Sequence, residues 1–168
     1  MIDAEVVKQL KGVEQAQYKG DYHAHMLEQY KLFVEMTDKK SEQRLSTNKF
    51  FLALNSAIIA ALSIAFPNLK EKVNDTWFVF VSVLGMVLCV AWYHLIRSYR
   101  CLNEGKFVVI HEMEKSLPVR PYTAEWTAVG EGKEPMQYRP FTYIEHHVPL
   151  VFLLLFAAIA VFVLKFGG

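Results

Sequence analysis

One amide and one row of bases are the residues of this chain best placed to act. Asn55 stands inside an apolar run, Phe50–Phe66. An amide there either bonds a neighbouring helix or, repeated around a symmetric assembly, forms a polar ring. Asn48, just ahead of the run, joins Asn55 as a candidate for the same lumen-facing surface. His94, Arg97 and Arg100 recur at steps of three, on one helical face. Such a row contacts anionic lipid head groups or rings the mouth of a cavity. The plainer reading is interfacial anchoring, together with Trp92 and Tyr93.

Other chemistries find less support. His23 with His25, and His146 with His147, are the pairs that could suggest a metal. Steps of one or two residues on a helix do not converge two imidazoles as a step of four does. No cysteine or carboxylate set completes a tetrahedral site. The sequence has no phosphate-cradling glycine loop, no Gly-x-Ser-x-Gly and no carboxylate pair with active-site spacing. No enzyme activity, metal or cofactor is therefore expected. Cys89 and Cys101 lie on one predicted helix, about 18 Å apart along its axis. A disulfide between them is excluded at that separation, and both read as reduced packing residues.

The elements that must position these residues are three apolar runs, Phe50–Phe66, Trp77–Ile96 and Val148–Phe166. None holds Asp, Glu or Arg, and their one Lys is Lys165. A hydrocarbon core about 30 Å thick needs roughly 17–25 apolar residues of helix. The chain of 168 residues is thus expected to be an all-α integral membrane protein with three transmembrane helices, two of them extended into a cytosolic helical stalk. It divides into an N-terminal helical segment 1–48, a first span 49–66, an outer loop 67–76, a second span 77–96, a stalk helix 97–117, a Pro- and aromatic-rich loop 118–147 and a third span 148–166. The polar N-terminus has no apolar segment of signal-peptide type, so the first span is expected to be retained.

Charge sets the expected orientation. With three spans, segments 1–49 and 97–147 share a side and hold fifteen Lys and Arg, against three on the other. The positive-inside rule puts the rich side in the cytoplasm. A net charge of +1 gives no support for a nucleic-acid surface, and no nucleic-acid partner is expected.

Asp21 is a candidate N-cap for the first long helix. Leu27, Tyr30 and Val34 then recur on one face. From Thr37 to Arg44 no residue is apolar, yet nothing breaks the helix, which is predicted to run on into the first span and stop at Pro67-Asn68. Asn74-Asp75-Thr76 reads as the start of the second helix. Leu95, Tyr99, Leu102, Lys106, Val109 and Met113 are spaced as a heptad seam ending near Leu117-Pro118. Its apolar members, Leu95, Tyr99, Leu102, Val109 and Met113, are the candidate subunit contacts. The aromatic density of 118–147 argues for an ordered loop, since disordered linkers are aromatic-poor. Ser82, Gly85 and Cys89 form a small-residue stripe suited to close helix packing. The third span, uniformly apolar, is expected to face lipid.

Three blocks resemble the RipA-like octameric membrane proteins of bacteria: YKLFVEMTDKKSEQRLSTNKFFLALN at Tyr30–Asn55, WYHLIRSYRCLNEGKFVVIHEMEKSLPVRPY at Trp92–Tyr122, and YRPFTYIEHHVP at Tyr138–Pro149. The resemblance implies a small inner-membrane protein that partners with itself as a homo-octamer, in contact with membrane lipids and without an agreed enzymatic activity. The ring would be a pore or gated conduit. The alternative is a non-conducting scaffold that organises lipid or a protein partner. A weaker alternative is a nuclease accessory, since Arg139 and His146 resemble the Arg-x(4–6)-His signature of HEPN ribonucleases. There Pro140 stands where that family prefers a polar residue.

Overall fold

The computed structural model describes residues 4–69, 74–132 and 145–166. The fold is all-α, with no strand among the described residues. Among the described residues five helices follow in order: α1 (Ala4–Leu10), α2 (Tyr22–Leu69), α3 (Asp75–Glu114), α4 (Pro121–Ala128) and α5 (His147–Phe166). Single 3-10 turns occupy Gln15–Gln17 and Gly130–Gly132. Among the described residues three helices, α2, α3 and α5, are long and apolar enough to cross a membrane.

Local chemistry explains the helix starts. The Asp21 carboxylate accepts a hydrogen bond from the Ala24 amide at 3.0 Å, the geometry of an N-cap bonding the third helical residue. Asn74 Oδ1 accepts from the Thr76 amide at 3.0 Å and from its hydroxyl at 2.8 Å. The same economy carries α2 through its polar stretch. Thr37, Thr47 and Ser63 each donate a hydroxyl to the carbonyl four residues back, at 2.8–2.9 Å. Asn55 and Asn68 do so through their amides. Bonding the carbonyl four residues back satisfies each polar side chain on its own rod, at a slight cost to the helix. The helix passes Pro67 and ends two residues later. A proline there removes one backbone hydrogen bond and crowds the carbonyl four residues back, which suits a position close to the end of the helix.

The fold separates into two compact units. The first comprises 1–42 and 100–140. Its apolar centre is small, Ile110 and Met113. Around it Lys106 Nζ donates to the Met36 carbonyl at 3.1 Å and lies over the Phe33 ring. Glu114, with no exposed surface, accepts from the Tyr30 hydroxyl at 3.0 Å, the Tyr122 amide at 2.8 Å, and the Thr123 amide and hydroxyl at 2.9 and 2.7 Å. The carboxylate ending α3 thus caps the first turn of α4, where Pro121 holds a position needing no N–H.

The second unit comprises 43–99 and 141–168 and holds all three apolar runs. Leu62, Phe78, Cys89, Phe156 and Val163 form its core. Phe66 packs edge-on against Phe78 and Phe162. The small-residue stripe lies inside: Ser82 and Cys89 are buried, and a Cβ added to Gly85 would come within 2.5 Å of the Phe156 ring. α5 is not wholly lipid-facing as expected. Pro149, Phe156, Ala160 and Val163 make a buried stripe, Phe152, Leu153 and Ile159 pack partly buried beside it, and Val151, Leu154, Val161 and Leu164 are exposed. In lipid, apolar groups gain little by leaving their solvent, so such contacts hold by close packing and dispersion.

Candidate functional site

The polar groups of the second unit gather on the inward face of α2. Arg44, Asn48 and Asn55 recur along it at steps of four and seven, which a 3.6-residue turn keeps on one side. Each meets a different helix or helix end. Arg44 pairs with Glu145, just ahead of α5, at 3.4 Å. Asn48 Oδ1 accepts from the Trp92 indole N–H at 2.9 Å. Asn55 Oδ1 accepts from the Cys89 thiol at 3.5 Å, while its amide donates to the Phe51 carbonyl at 2.8 Å.

Trp92 is the hub. It is 2% exposed, stacks on Phe51 at 5.7 Å with a 10° interplanar angle, and lies 6.2 Å from Phe152 of α5. An indole has one donor and a large apolar body. Here the donor reaches α2 while the body touches α2 and α5. The expected role of Trp92 as an interfacial anchor is corrected by this burial.

The Arg44–Glu145 pair is the most demanding contact. The two side chains are 21% and 9% exposed. Arg44 Nε and Glu145 Oε2 are buried without a hydrogen bond among the described residues. At 3.4 Å the pair is an ion contact rather than a well-formed hydrogen bond. Removing one partner would leave the other charge buried.

The sequence-expected residues fall into three groups. Asn55 has no exposed surface, and Asn48 is half-buried against Trp92. The expected lumen-facing placement of Asn55 is thus corrected, since its amide is engaged within one protomer; Asn48 keeps a part-exposed side chain with its Oδ1 bonded to Trp92. His94 and Arg97 are exposed in the second unit. Arg100 belongs to the first unit, where it bonds Glu104 at 2.8 Å. Along the seam, Leu95 and Leu102 are 40% and 49% exposed, Tyr99 and Val109 are intermediate, and Met113 is buried in the first unit. Of the histidines, His23 bonds Gln15 and His25 bonds the Tyr18 hydroxyl. The rings of His146 and His147 stack at 4.3 Å. Arg139 and the expected ordering of 133–144 lie outside the described residues.

Two polar constellations escaped the sequence reading. Glu114 is one; the signal was an acid upstream of a helix opening with Pro121-Tyr122-Thr123, whose first amides need an acceptor. In the first unit, burial pushes the Glu114 carboxyl up, but hydrogen bonds from Thr123, Tyr122 and Tyr30 outweigh it and hold it below its ordinary value. Burial, then the bond to Glu114, push the Tyr30 hydroxyl up to about 12. Arg44 with Glu145 is the other; the signal was two opposite charges ahead of two spans that enter from one side.

The model of the octameric membrane protein family (8xMP) matches residues 27–165, most of the chain. The chain belongs to that family. No curated protein and no solved structure matches it. Family membership agrees with the resemblance seen in the three blocks, all of which fall within or across the matched range. It establishes a membrane protein of a self-assembling kind.

Proposed function

We propose that the chain assembles as a homo-octameric ring in the bacterial cytoplasmic membrane and acts there as a scaffold, without enzymatic activity and without a water-filled channel. The family match over 27–165 is the observation that carries the assembly. The non-conducting part rests on the inward-facing amides. Asn55 is engaged inside the protomer, and the spans present Phe50, Ile64, Trp77, Val87 and Leu154 outward, each more than half exposed. A lumen walled by such groups stays dry or fills with lipid, and neither state passes ions readily. Exposed Leu95 and Leu102 offer α3 to a neighbouring copy, as a ring of head-to-tail contacts requires. The lysine and arginine bias supports a cytoplasmic N-terminus and a cytoplasmic 97–147 segment.

Native mass spectrometry of the detergent-extracted complex tests the assembly. Eight copies of the 19.4 kDa chain are expected. A monomer or dimer would remove the ring. Reconstitution of that complex into planar bilayers tests the rest: no unitary current is expected. A steady current altered by Asn55→Asp would restore the pore.

A further inference from the structure

One end of the membrane unit carries an unbalanced collar of bases. The hydrogen bond between Asn48 and Trp92 sets the start of the first span beside the end of the second. The Tyr93 ring lies 6.4 Å from His146, which brings the start of the third span to the same level. Lys49, His94 and Arg97 are all exposed at this level. Among the described residues neither Lys49 nor Arg97 has an ion-pair partner, and the unit's described acids are Asp75 and Glu145. Glu145 is already paired with Arg44. Asp75 opens α3 at the far end of the second span. The sequence row of His94, Arg97 and Arg100 is therefore redrawn. Arg100 is engaged by Glu104, and Lys49 takes its place.

We propose that Lys49 and Arg97, flanked by His94, bind the phosphates of anionic phospholipids at the membrane surface. The chemistry fits on three counts. Exposed Lys and Arg beside a span attract anionic lipid, by about fivefold in association per charge. The guanidinium of Arg97 can fork onto two phosphate oxygens, and the lysine supplies a point charge beside it. Tyr93 sits at the same level, the depth that amphipathic rings prefer. The site needs membrane insertion but not the ring, so a failed octamer leaves it standing.

The test uses the full chain in nanodiscs of phosphatidylcholine with a minor fraction of phosphatidylglycerol, and reads co-purified lipid by mass spectrometry. Wild type is expected to enrich phosphatidylglycerol several-fold over the bulk ratio. Lys49→Gln with Arg97→Gln should abolish the enrichment, and Arg100→Gln should leave it intact. The exchange Lys49→Arg with Arg97→Lys should keep most of it, which guards against a neutral variant that merely fails to fold. Millimolar inorganic phosphate should not displace the lipid. Absence of enrichment in wild type, its survival in the neutral double variant, or its equal loss in Arg100→Gln would each overturn the assignment. Displacement by free phosphate would also overturn it, pointing to a soluble anion instead.

Discussion

The unit of 1–42 and 100–140 and the unit of 43–99 and 141–168 solve one problem with opposite means. In the first, few apolar side chains are buried, and a single carboxylate gathers four donors from α2 and α4. In the second, rings and small residues fill the interior, and inside the apolar runs Asn55, Ser63 and Ser82 each bond a carbonyl of their own helix. Asn55 also reaches across to Cys89. The difference follows from the solvent. Water replaces a lost hydrogen bond at modest cost, so an aqueous unit can hang on cross-element bonds that open and close. Lipid offers no replacement, so side chains such as Asn55 and Ser82 inside the spans are secured on their own helix.

That contrast can be broken where each unit is most exposed to a single change. The largest effect is expected at Glu114. Glu114→Ala leaves four donors without their acceptor and should destabilise the first unit by about 3–5 kcal/mol. Fast hydrogen exchange at the Tyr122 and Thr123 amides, with the second unit's helices still protected, is the expected signature. Next is Glu145→Ala, which strands Arg44 and should cost about 3 kcal/mol. Replacing both, as Arg44→Leu with Glu145→Leu, should recover much of that in thermal melts of the detergent-solubilised protein. A double variant no better than the single would mean that the pair is not the coupling.

Gly85→Ala comes third, at about 1–3 kcal/mol, because its methyl group would overlap the Phe156 ring. Combining it with Phe156→Leu should be less damaging than the two losses added. Asn55→Ala is the smallest, around 0.6–2 kcal/mol, since the amide mostly serves its own helix. A much larger loss would show that the bond to Cys89 matters more than its 3.5 Å length suggests.

The first unit should also carry its own pH limits. The Glu114 carboxyl is lowered on folding, so its contribution is complete above the ordinary value of 4.5 and fades as pH falls toward the lowered one. The Tyr30 hydroxyl is raised to about 12, so its contribution is complete below 10.0 and is lost as pH climbs between the two. Amide exchange in α4, corrected for intrinsic rates, should trace both limits. Glu114→Gln should remove the acid one.

Much of the architecture was legible in the residues. The three spans follow from length and hydropathy, and Asp21 and Asn74 announce the helix starts they cap. The stripe of Ser82, Gly85 and Cys89 pointed to a packing face, and all three are buried. The direction in which Asn55 faces was not legible. A helical wheel gives the face of a residue but not which neighbour covers it. The seam through Leu95 missed the buried row by one position, since Trp92 and Ile96 carry the packing there. One residue along a helix is 100° of rotation. Glu114 and Glu145 left only a faint signal in the sequence for another reason. Each is defined by a partner distant in sequence, and a charged residue is usually solvated.

The contact between Gly85 and Phe156 also constrains how this chain can diverge. A side chain cannot grow at 85 while a ring occupies 156, and shrinking 156 alone opens a void. Descendants should therefore change the two positions together, with a larger residue at 85 accompanied by a smaller one at 156. That correlation would be readable in related sequences without any further structure.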